Sequence, residues 1–123
     1  MLNNVKVNLK ILLEILQKKE ILLNEIYNIT INQNTVITSE KVNMVMFEEM
    51  IKEKRIRIDD INDMDEKFQN IFDNIKKDIA RYKENYIEAI RELKKFINEN
   101  INLKMKIELQ EEKNRKVLEK NNS

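Results

Sequence analysis

Asp59, Asp60, Asp63, Asp65 and Glu66 are the densest set of carboxylates in the chain, and the chemistry such a set suggests is capture of a divalent cation. A calcium loop needs oxygen ligands at alternating positions, a glycine at the sixth and a glutamate at the twelfth. Counting from Asp60 gives Asp65 and Ile71 at those places, so the cluster reads as a solvated helix face. The basic run Lys52-Glu53-Lys54-Arg55-Ile56-Arg57 is the other charged group, and its chemistry would be phosphate binding. Glu48, Glu49, Asp59 and Asp60 flank it closely. Together with a formal net charge of +1, this argues against a nucleic-acid partner.

The inventory of catalytic groups is short. The 123 residues contain no histidine, cysteine, glycine or proline, which removes the Cys and His ligands of zinc sites, the Glu-x-x-His pairs of di-iron bundles and the thiol nucleophiles. Nucleophilic or acid–base work would rest on Ser39, Ser123, the tyrosines or bare carboxylates, with no imidazole base and no glycine-rich oxyanion loop. No catalytic residue, cofactor site or metal site is expected, and the chain reads as a non-enzyme.

Without glycine or proline, tight hairpins and α/β connections are hard to build, whereas long helices with short polar turns need neither. Hydrophobic residues make up 41% and charged residues 37%, the mixture of helices with one apolar stripe. Leu2, Leu9, Leu16 and Leu23, with Val5, Leu12 and Ile26, form a heptad seam that predicts a helix over about residues 2–32. Polar and β-branched residues predict a turn over about 33–38, with Thr38 or Ser39 capping the next helix.

A second seam then keeps phase from Met44 to Ile107. Met44, Ile51, Ile58, Phe72, Ile79, Tyr86, Leu93 and Ile107 form one set, and Phe47, Ile61, Phe68, Ile75, Tyr82, Ala89, Phe96 and Leu103 its companion. Lys54, Asp65, Asn100 and Gln110 interrupt it, as polar residues that fix register or mark a local opening do. The expected architecture is one all-α domain over 1–123. It is a long antiparallel helical hairpin or coiled coil whose second helix, about 39–118, is either continuous or broken near 62–65 or 81–85. The last residues, Glu119–Ser123, lack apolar side chains and are expected to fray.

A first helix of about 40 Å cannot cover a second of about 120 Å. Tyr86, Ile90, Leu93, Phe96, Ile97, Ile101, Leu103 and Ile107 are then left with on the order of 10 kcal/mol of association energy, and are the candidate partner-binding residues. Three outcomes would cover them: the C-terminal third folds back, two chains form a homodimer, or a client helix binds. Apolar runs such as Ile11-Leu12-Leu13 are far too short to insert in a membrane. With no leader-like start, a cytoplasmic protein is expected.

The leucine-rich first helix, the polar turn, and the stretches Phe47-Glu48-Glu49-Met50-Ile51-Lys52-Glu53-Lys54-Arg55 and Ile58-Asp59-Asp60-Ile61-Asn62-Asp63-Met64-Asp65-Glu66-Lys67-Phe68 together resemble the FlgN-type flagellar export chaperones. The likeness spans about residues 9–80. It implies a cytosolic helical protein that binds the C-terminal helices of flagellar hook-filament junction proteins before export. It also implies that the C-terminal region carries the client. The alternative reading is a structural homodimeric coiled coil or scaffold without a client.

Overall fold

The structure, a computed structural model, describes residues 2–121. It has three long helices, α1 (Leu2–Ile37), α2 (Met44–Arg81) and α3 (Ile87–Asn121), with one 3-10 turn, Lys83–Tyr86, between the last two. Among the described residues there is no strand, and none of the helices is long and apolar enough to cross a membrane.

The first turn lies later than the polar composition implied. Residues 33–37 remain helical because tertiary packing outweighs their weak propensity: Thr30, Gln33 and Ile37 are buried. The Thr30 hydroxyl is satisfied within its own helix, donating to the Ile26 carbonyl at 2.7 Å. Thr38 and Ser39 do not cap the next helix. They finish α1, donating side-chain hydroxyls to the carbonyls of Asn34 and Val36 at 2.7 Å each. The N-cap of α2 is Asn43, extended at φ −90°, whose side chain accepts from the Met46 amide at 3.0 Å.

α2 passes unbroken through 62–65 and stops at Arg81. At Tyr82 (φ −114°, ψ 38°) the chain leaves the helix, and after the 3-10 turn α3 runs back antiparallel to α2. The mismatch in helix length therefore disappears, since the three helices have 36, 38 and 35 residues. Each is about 54 Å long at 1.5 Å per residue. Of the last residues, expected to fray, Glu119–Asn121 are helical, and the Asn121 side-chain amide donates to the Ile37 carbonyl at 3.2 Å; Asn122 and Ser123 lie outside the described residues.

α1 is the central element. It packs along both α2 and α3, while the backbones of α2 and α3 barely approach each other. α1 and α3 are parallel with a constant offset: Asn100 bonds Leu16, Asn114 bonds Thr30 and Asn121 bonds Ile37, each pair 84 residues apart, or twelve heptads. The apolar seams of all three helices make two clusters. One joins Val5, Leu9, Leu12 and Leu16 to Ile75, Tyr86 and Leu93, and the other joins Leu23 and Ile26 to Ile61 and Ile107.

Candidate binding groove between the second and third helices

Because α2 and α3 each rest on α1 but stand apart, the three helices resemble a four-helix bundle lacking one member. The missing place is a groove with a cavity volume of about 640 Å³, which is within the range of sites that hold ligands. Its floor is Leu16, Leu23 and Ile26 of α1. Ile58, Ile61 and Phe68 of α2 form one wall, and Ile97, Ile101 and Ile107 of α3 the other. Ile58 and Ile101 remain 46% and 50% exposed, so each wall presents an aliphatic side chain to solvent on the open side.

Charged groups define the ends and the middle. Lys54, buried on α2, pairs with Glu111 on α3 and bridges the two walls at one end of the groove. Its ammonium also donates to the Thr30 hydroxyl at 3.4 Å. Asn114 extends this polar layer, donating to the Thr30 carbonyl at 2.9 Å and accepting at its side-chain oxygen from Asn34 and Gln110, both at 3.0 Å. Farther along, Lys19 of α1 meets Asp65 of α2 at 2.7 Å. A buried ion pair adds little net stability against an apolar substitute, but it disfavours every packing in which its partners are separated.

One like-charge contact runs against the fold. Glu20 on α1 and Glu99 on α3 lie together; partial burial, then the neighbouring Glu99 carboxylate, push the Glu20 carboxyl above its ordinary value, with Lys95 opposing.

The candidate partner-binding residues divide into two groups. Ile97, Ile101 and Ile107 line the groove. Tyr86 and Leu93 do not form an open stripe, being 1% and 8% exposed in the core against α1, with Ile90, Phe96 and Ile97 packed around them. Leu103 packs on the second cluster. The stripe thought to lack a partner is thus mostly covered from within the chain, because the break at Tyr82 returns α3 onto α1. The α2 wall holds none of the candidate residues named from the sequence. Its signal was present in the spacing of Ile58, Ile61 and Phe68, residues that would belong to the covered half of a simple hairpin.

Asp59, Asp60, Asp63 and Glu66 are all exposed on α2. Among the described residues no group of three or more acidic, histidine or cysteine side chains is gathered to hold a metal ion. Comparison of the chain with protein-family models, with characterised proteins and with solved structures gives no match.

Proposed function

We infer that the protein acts by binding, not by catalysis, and that its ligand is an amphipathic helix of another protein laid into the groove between α2 and α3. The observation that supports this is the groove itself: an aliphatic trough along helices of nearly equal length, open on the side where a four-helix bundle would place its last member. An incoming helix would bury its apolar face against Ile58, Ile61, Ile97 and Ile101, the pattern of helix-in-groove recognition.

The resemblance to FlgN-type chaperones supplies the class of client. On this reading the protein is a cytoplasmic chaperone of flagellum biogenesis that shields the C-terminal helices of hook-associated junction proteins until protein export. The groove suits that task because a client helix with an exposed apolar stripe aggregates, and a reversible cover prevents this.

The test is titration of a fluorescently labelled C-terminal helix from a junction protein, with a scrambled peptide of equal composition as control. Ile58→Asp combined with Ile101→Asp should weaken capture by about a hundredfold. Helicity should be unchanged, since both side chains are half exposed. Equal binding of the scrambled peptide, or undiminished binding by the double variant, would refute the proposal.

A further inference from the structure

The break between α2 and α3 has none of the features that compel a helix to stop. Tyr82–Tyr86 includes neither glycine nor proline, and no described residue has positive φ. The seven-residue phase also passes straight through: Phe72, Ile79, Tyr86 and Leu93 continue one set, and Phe68, Ile75, Tyr82 and Ala89 the other. Two helices joined by a turn can have any phase relation, whereas one continuous seam requires this one.

The pairing across the break is symmetric about it. Lys54 and Glu111, the ion pair that joins α2 to α3, are equally distant in sequence from the Tyr82–Lys83 bond. A two-fold axis through that bond would therefore bring Glu111 of one copy to Lys54 of another.

We propose that the chain exchanges α3 between two copies: Tyr82–Tyr86 straightens, α2 and α3 become one helix, and each α3 packs on the α1 of the second copy. Every interaction that holds α3 in the single chain is then re-formed between chains, including the Asn100, Asn114 and Asn121 bonds to Leu16, Thr30 and Ile37. Only the hinge changes. Tyr82, 40% exposed, and Tyr86, whose buried hydroxyl has no hydrogen-bond partner, come to the two-fold axis. Exchange of identical elements costs little beyond association itself, so concentration sets the balance. Each lobe keeps its groove, which makes the exchange independent of helix binding.

The chain has no cysteine, so an engineered pair reports the pairing directly. Asn34→Cys with Asn114→Cys replaces two side chains that touch at 3.0 Å across α1 and α3. After refolding at high concentration, light scattering should find a species of twice 14.9 kDa beside the single chain. On a denaturing non-reducing gel, the oxidised dimer should run as two linked chains and the oxidised monomer as one. On the natural background, Lys83→Pro puts proline at the start of the 3-10 turn, where it is tolerated, but blocks a continuous helix. It should abolish the dimer and leave helicity unchanged. Asn85→Ala, at an exposed hinge position, should raise the dimerisation constant by about tenfold through two hinges. A dimer that separates into single oxidised chains, a dimer indifferent to both hinge variants, or no dimer in either the natural chain or Asn85→Ala would overturn the proposal.

Discussion

The side-chain amide of Asn100 on α3 donates to the main-chain carbonyl of Leu16 on α1 at 3.3 Å, while its own oxygen is buried without a partner. The contact belongs to a ladder with Asn114 and Asn121, all reaching carbonyls 84 residues back. A side chain of this type in an apolar seam favours one register at a cost in stability, because a shifted register strands the amide among aliphatic groups.

Asn100→Leu should therefore stabilise the protein, by about 1–2 kcal/mol in urea unfolding, since it removes a half-satisfied buried amide. Disulfide trapping between α1 and α3 should at the same time detect shifted registers that are absent from the natural protein. A loss of stability would show that the amide contributes energy and not register alone.

The Lys54–Glu111 pair should respond asymmetrically. Lys54 has a side chain 9% exposed and Glu111 one 48% exposed. Glu111→Ala leaves a buried ammonium with only the Thr30 hydroxyl, which should cost about 2 kcal/mol, less than a fully buried pair because water reaches this one. Lys54→Met leaves a carboxylate that turns to solvent, and should cost under about 1 kcal/mol. Equal losses in chemical denaturation would contradict this ordering.

Glu20 gives a pH dependence with a definite sign. Its carboxyl is raised in the folded protein, so its contribution is fully present below the ordinary value of 4.5 and is lost as pH rises through the folded value. Glu20→Gln should raise the melting temperature at neutral pH. The difference from the natural protein should fade as pH falls below 4.5. An increment that persists in acid would point to packing and not to charge.

Helices and seams were readable because composition and the seven-residue period agree over nearly the whole chain. Three of the four polar interruptions make contacts between helices, Lys54 with Glu111, Asp65 with Lys19 and Asn100 with the Leu16 carbonyl, whereas Gln110 bonds Asn114 of its own helix. The path of the chain was not readable. In this chain the heptad phase runs on through Tyr82 although the helix folds back there, so periodicity could not tell which residues α1 covers. Leu93 illustrates the consequence. As a candidate partner-binding residue it would lie on an open stripe, but it is 8% exposed in the main core, so Leu93→Asp should unfold the protein.

Binding of a partner helix in the groove, as proposed, would be reported most directly by isoleucine methyl groups. Ile58, Ile61, Ile97 and Ile101 line the groove, whereas Ile21, Ile56 and Ile87 are exposed but outside its lining. In methyl NMR spectra of isoleucine-labelled protein, adding the junction-protein helix should shift the first four signals, with intermolecular contacts to the apolar face of the peptide. Ile21, Ile56 and Ile87 should stay unmoved. Shifts centred on those three would place the helix elsewhere, and none at saturating peptide would show that the groove does not bind it.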